Sequence, residues 1–202
     1  MRQYVWLNPV VLSMYEEEEL RRVVGEAGFE IVECAEDHIG AVKKKYGDEI
    51  RKAGVCVMDM RCPAAAELAK SRFSKADVEY PDIDPILIHC ATELAGRFGE
   101  KGRLTVTTPC TQLRDMGKRL CLTGTRFVTW KEFMEEQGIR IRKRKPEASP
   151  IPPGFFSEWE GAARPLSSKE KIETFFDERA YEQYQVAEML YCTEGCHNGN
   201  GV

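Results

Sequence analysis

Phe29-Glu30-Ile31-Val32-Glu33-Cys34, a stretch from His38 to Arg51, and Val55-Cys56-Val57-Met58 follow one another in one run of the chain. The first alternates apolar and polar residues with a period of two, as a half-buried strand does. The second reads as a helix that stops at Gly54. The last is apolar throughout and short, which suits a strand covered on both faces. Upstream, Tyr4-Val5-Trp6-Leu7 reads as a strand, and Glu16 to Ala27 as an amphipathic helix closed by Gly28. This βαβαβ rhythm predicts an α/β protein with mostly parallel sheet flanked by helices.

The rhythm continues downstream. Pro63 to Phe73 is predicted helical, with Pro63 suited to a first turn, and Pro85 to Phe98 forms a second helix closed by Gly99. Leu104-Thr105-Val106-Thr107 is a strand running into Pro109-Cys110, and Leu113 to Leu120 the helix after it. Arg126-Phe127-Val128 is a short strand, and Trp130 to Gln137 a helix ended by Gly138. Ser149 to Gly154 is a proline-rich connector, and about Lys169 to Leu190 a long helix leading into Cys192. The basic run Arg140-Ile141-Arg142-Lys143-Arg144-Lys145 alternates as an exposed edge strand would. Its other reading is a docking patch for an acidic redox partner.

A chain of 202 residues can bury a core as one large domain or two small packed lobes, and we expect a single domain over 1–202. The formal charge of −4 gives no bulk attraction to nucleic acid or to an anionic membrane surface. No apolar run approaches the roughly 20 residues that span a bilayer. The apolar stretch before Pro9 is too short for a secretory core, so the cytoplasm is the default location. Eight cysteines in such a chain point to metal or cluster ligation, or to burial, ahead of disulfides.

Three cysteines fall at element boundaries. Cys62 and Cys110 each follow a strand and precede a helix, and Cys192 ends the predicted long helix, with Cys196 four residues on. Carboxyl ends of strands in open α/β sheets are where ligands collect. A helix N-terminus also favours the thiolate that iron requires. Gly195, Gly199 and Gly201 would let backbone N–H groups approach cluster sulfurs. On the residues alone, an iron–sulfur cluster, a zinc ion, and redox or structural thiols all stay open; zinc sites usually pair their ligands in two close knuckles, and here only one pair is close.

Tyr191-Cys192-Thr193-Glu194-Gly195-Cys196-His197-Asn198-Gly199-Asn200-Gly201 resembles the C-terminal Cys-x-Gly-Gly-Cys-x-x-Gly-Gly-Gly motif of [FeFe] hydrogenases. Met60-Arg61-Cys62-Pro63 is similar to that family's Thr-Ser-Cys-Cys-Pro, and Thr108-Pro109-Cys110-Thr111 to its Met-Pro-Cys-Thr-Ala-Lys. Glu188 also matches, and the likeness runs in the family's order from about residue 28 to 202. The resemblance implies the compact hydrogenase H-domain fold, with a cluster at the carboxyl ends of strands between two lobes. It further implies a [4Fe-4S] cluster held by Cys62, Cys110, Cys192 and Cys196, with Cys196 matching the ligand that bridges to a two-iron subcluster. A ferredoxin-like or oxidoreductase partner would exchange electrons with it.

The departures fall on the chemistry. Arg61 stands where the family has its proton-transfer cysteine, and Leu113 where it has the lysine that holds a cyanide of the two-iron site. Leu190 stands where it has a methionine, with Met189 one place off. Losing an acid/base relay and an anion-holding cation argues against hydrogen turnover. The expectation is therefore a non-catalytic cluster protein for electron transfer or redox sensing. A divergent hydrogenase and a structural zinc protein are the alternatives. Cys34, Cys56 and Cys90 read as packed or structural, Cys121 has no assignable role, and His197 is expected to be exposed.

Overall fold

A computed structural model describes residues 1–144 and 153–202. The chain divides into two compact units, each built on its own four-stranded sheet. Every strand pairing in both sheets is parallel, so the α/β class with helix-flanked parallel sheets holds.

The first unit takes Met1–Glu36, the described part of Leu87–Ile151, and Cys196–Val202. Its strands are β1 (Arg2–Trp6), β2 (Glu30–Ile31), β5 (Gly102–Thr108) and β6 (Thr125–Thr129), in the spatial order β2-β1-β5-β6. Helices α1 (Pro9–Ser13), α2 (Glu17–Glu26), α5 (Ile86–Phe98), α6 (Thr111–Arg119) and α7 (Trp130–Gln137) connect them. Local chemistry sets the boundaries. Asn8 caps α1 through its side chain, 2.8 Å from the Val10 amide, and Pro9 fills the first helical position. Thr129 and Glu132 form a reciprocal capping box that starts α7 as β6 ends. Buried Thr107 ties β1 to β5, accepting from the Asn8 amide at 3.0 Å and donating to the Trp6 carbonyl at 3.0 Å. The core gathers Val5, Leu20, Phe29, Trp130, Phe133 and Val202. Trp130 Nε1 donates to the Tyr15 hydroxyl at 3.0 Å, which satisfies the indole inside that core.

The second unit takes Asp37–Ile86 and the described part of Pro152–Gly195. Strands β3 (Cys56–Met58), β4 (Val78–Glu79), β7 (Ala163–Ser167) and β8 (Val186–Leu190) lie in the order β4-β3-β8-β7. Helices α3 (His38–Lys52), α4 (Pro63–Arg72) and α8 (Lys169–Asp177) flank them. Two apolar clusters form, one around Met58, Phe175 and Met189 and one around Tyr46, Val57 and Phe156.

Three expectations are corrected. The long helix over Lys169–Leu190 is instead α8, a short 3₁₀ turn (Ala180–Gln183) and the strand β8. Arg179 adopts a left-handed backbone (φ 54°) that breaks the helix, and β8 is buried along its whole length between β3 and β7. The predicted strand Phe29–Cys34 keeps only Glu30–Ile31 in the ladder, with one further bond from the Val32 amide to the Val5 carbonyl at 2.9 Å before the chain leaves β1. The basic run makes no edge strand among its described residues, 140–144. Ile141 packs against the first core and the Arg144 amide bonds the Met14 carbonyl at 2.7 Å, so the segment is held as coil. Lys145 and most of the Ser149–Gly154 connector lie outside the described residues.

Candidate functional site

Strands β3 and β8 are parallel neighbours in the middle of the second sheet, so their carboxyl ends, where ligands collect in open α/β sheets, adjoin each other. Both strands run out there side by side, Met58 opposite Ala187, with the Asp59 amide bonded to the Ala187 carbonyl at 2.9 Å. Cys62 follows β3 and caps α4, whose first turn is opened by Pro63. Cys192 follows β8, its carbonyl accepting from the Ser167 hydroxyl at 3.3 Å and the Gly195 amide at 3.2 Å. The two thiols are electrostatic neighbours, each half-buried. Burial pushes the Cys62 thiol above its ordinary range, against the pull of the Tyr191, Ala65 and Ala64 amides that face it. Burial and then the charge of Cys62 push the Cys192 thiol up as well. Two crowded thiols that resist ionisation, one ringed by N–H donors, become thiolates when a cation binds.

Arg61, beside Cys62, is engaged on several sides. Its Nε and Nη2 donate to Asp59 at 3.0 and 2.7 Å, and Nη2 also donates to Glu188 at 3.0 Å. Its guanidinium lies 3.6 Å from the centroid of the Phe155 ring. The side chain is 7% exposed and its two carboxylate partners less. Burial works against the Arg61 charge, but Asp59 and Glu188 more than offset it and hold its pKa above the ordinary value. The Gly154 and Phe155 amides donate to Glu188 at 2.6 and 3.1 Å, and the Tyr46 hydroxyl to Asp59 at 3.3 Å. The Arg61 guanidinium therefore keeps its proton near neutral pH and cannot act as a proton relay.

In the first unit Cys110 follows β5 and caps α6. The segment Cys196–Val202 comes back onto that strand end. Gly201 donates to the Pro109 carbonyl at 3.0 Å, and the Gly201 carbonyl accepts from the Lys131 amide at 3.0 Å. Asn200 caps α6, accepting from the Thr111 amide and donating to the Thr111 hydroxyl, both at 3.0 Å. A Cβ at Gly199 would stand 2.4 Å from the Pro109 carbonyl oxygen, and one at Gly201 would stand 3.0 Å from the Cys110 nitrogen. Only glycine permits this approach. Cys196 packs on the core that Val202 helps to build. The four predicted ligands thus fall two to a unit: Cys62 and Cys192 on one sheet, Cys110 and Cys196 on the other.

Two solved structures resemble the chain along nearly its whole length. They are variants of the [FeFe]-hydrogenase HydA1 from Chlamydomonas reinhardtii, one an apo cysteine-to-histidine form and one a glutamate-to-alanine form. Each aligns over 99% of this chain and 79% of the hydrogenase, with a TM-score of 0.62. The fold is hydrogenase-like. Sequence identity is 11% and 12%, so the likeness concerns the fold alone. No protein-family model and no curated protein matches the chain. No helix among the described residues is long and apolar enough to cross a membrane.

The remaining positions sort by burial. Leu113 is buried, as are Leu190 and Met189 in β8. His197 is half-buried rather than exposed, and its buried Nδ1 has no hydrogen-bond partner among the described residues. Sequence reading missed Asp59 and Asn200 as partners, although an aspartate directly after an apolar strand is a usable signal. Cys56 is 3% exposed and burial pushes its thiol up to about 12, whereas Cys121 is exposed. Iodoacetamide applied to the native protein is therefore expected to label Cys121 and spare Cys56. Peptide mass mapping reads this directly, and equal labelling of the two would contradict the packing. Cys90 is buried, in line with the structural reading, Cys34 is half-buried, and their sulfur atoms lie within 4.8 Å of each other.

Proposed function

We propose that Cys62, Cys110, Cys192 and Cys196 hold one [4Fe-4S] cluster, and that the protein serves electron transfer or redox sensing without hydrogen turnover. The observation that carries this reading is the neighbouring pair Cys62 and Cys192 at the carboxyl ends of two adjacent parallel strands, with three backbone amides facing Cys62. The donor set suits such a group: thiols whose burial disfavours isolated thiolates, glycines that admit close backbone approach, and an unpartnered Nδ1 on His197 next to Cys196. A bound cubane would supply one-electron exchange with a ferredoxin-like or oxidoreductase partner. The chain's own residues hold and shield it: Pro63 and α4 fix Cys62, Asn200 and the paired glycines fix the segment bearing Cys196, and α6 orients Cys110. Arg61 is engaged by Asp59 and Glu188, so the position beside Cys62 holds a fixed cation in place of a proton relay.

Anaerobic reconstitution with iron and sulfide tests the ligand set. The wild type is expected to take up about four irons and four sulfides per chain and to give an EPR signal on reduction. Cys110→Ser and Cys192→Ala are expected to fall below about one iron, while Cys121→Ala keeps the full count. Full iron in the Cys192 variant would refute the assignment. A colourless protein with stoichiometric zinc would refute the cluster itself. Infrared bands of bound CO and cyanide after maturation would instead establish a two-iron subcluster and overturn the absence of hydrogen chemistry.

A further inference from the structure

Cys34 and Cys90 belong to the first unit and lie apart in sequence from the four candidate ligands. Cys90 is buried in the middle of α5, whereas Cys34 is half-buried in the coil that follows β2. That coil is clamped onto α5. Glu93 accepts from the Ala35 amide at 2.9 Å and the Glu36 amide at 3.3 Å, and Arg97 donates to the Glu33 carbonyl at 2.9 Å. Cys90, Glu93 and Arg97 are spaced three and four residues apart, so one face of one helix carries the second thiol and both clamps. The clamps bracket Cys34 on either side and set its sulfur within 4.8 Å of the Cys90 sulfur.

We propose that Cys34 and Cys90 are a reversible thiol–disulfide site whose oxidant is a low-molecular-weight disulfide of the glutathione kind. The two thiols differ as such a pair requires. A hydrogen bond from Cys90 draws the Cys34 thiol below its ordinary range, while Cys90, donating that bond and buried, is pushed well above it. The half-exposed Cys34 thiolate attacks one sulfur of glutathione disulfide, forming a mixed disulfide and expelling one glutathione thiolate. Cys90 then attacks the Cys34 sulfur, forming the internal bond and expelling the second. Two protons pass from the protein thiols to the two glutathiones, the protein loses two electrons, and glutathione disulfide gains them. The bond has a defined topological effect. Cys34 lies two residues before the chain leaves the first unit at Glu36, and Cys90 three residues after it returns at Leu87. Oxidation therefore joins the two ends of the segment Asp37–Ile86.

The full chain, kept anaerobic, is equilibrated in buffers of stepped oxidised-to-reduced glutathione ratio, quenched in acid, alkylated and digested with trypsin. Complete cleavage puts Cys34 in the peptide 23–43 and Cys90 in the peptide 76–97, each with a single cysteine. The expected product is these two peptides cross-linked, two hydrogens lighter than their sum and separated again by dithiothreitol. Cys34→Ser removes the cross-link and leaves Cys90 as an alkylated thiol, and Cys121→Ala leaves it intact. The proposal is overturned if both thiols are alkylated at every ratio. It is equally overturned if Cys34 stops as a stable glutathione adduct, or if added zinc is retained by the pair and blocks oxidation under all conditions. None of these results bears on the cluster ligands, whose iron count is read separately.

Discussion

Replacing Arg61 by methionine is expected to destabilise the second unit by about 3–5 kcal/mol, the range for removing one partner of a buried ion pair. Arg61 is the cation that two buried carboxylates share, and a methionine of similar length leaves Asp59 and Glu188 facing each other without it. The loss of stacking on Phe155 adds to the effect. Arg61→Lys is expected to recover only part, because an ammonium cannot reach both carboxylates while lying flat on the ring. The diagnostic variant combines Arg61→Met with Asp59→Asn and Glu188→Gln. Removing the stranded charges is expected to restore at least about half of the lost stability by the same logic. Urea denaturation measures all three. If Arg61→Met lies within about 1 kcal/mol of the wild type, the network is not the buried ion triad described here.

Gly199→Ala is expected to have the second large effect, on retention of the proposed cluster more than on folding. The new Cβ would stand 2.4 Å from the Pro109 carbonyl oxygen, which the Gly201 amide holds in place. Backbone on backbone cannot be relieved by a side-chain rotation, so the segment bearing Cys196 must lift off the end of β5. The stability cost is about 1–3 kcal/mol. Loss of iron to a chelator is expected to quicken roughly tenfold or more, as when outer-shell support of a metal ligand is removed. Gly96→Ala serves as the control, since it has nothing within 4 Å of its Cβ. It lies inside α5 and is expected to be neutral or stabilising by up to about 1 kcal/mol. Equal iron loss from the two variants would show that the docked glycine segment plays no part in holding the metal.

The sequence made most of the scaffold legible wherever local chemistry and packing agreed. Trp130–Gln137 carries its own capping box and stop, and Pro63 announces α4, so both helices were readable to within a residue. The placement of Cys62 and Cys110 at strand-to-helix junctions was readable for the same reason. Val186-Ala187-Glu188-Met189-Leu190 was misread because alanine, glutamate, methionine and leucine all favour helix. Its strand form comes from burial between two neighbours, which no local window contains. β7 escaped notice because Pro165 argues against a strand, yet β7 sits on the sheet edge, where proline is tolerated. The Arg61–Asp59–Glu188 network was half visible. Arg61 stood out as a departure, but its tie to Glu188 spans 127 positions and needs the finished sheet.

The strand order of the second sheet also constrains how the protein can be made. β8 lies between β3 and β7, so β3 has only β4 beside it until residues 186–190 have been synthesised. During most of translation the nascent chain carries an incomplete sheet with an open edge at β3, the kind of surface that aggregates or recruits chaperones. Cys62 and Cys110 leave the ribosome long before Cys192 and Cys196 exist. Any metal delivered early would meet half a ligand set on an unfinished fold. Under the proposed ligand set, insertion of a cluster is thereby confined to the finished polypeptide.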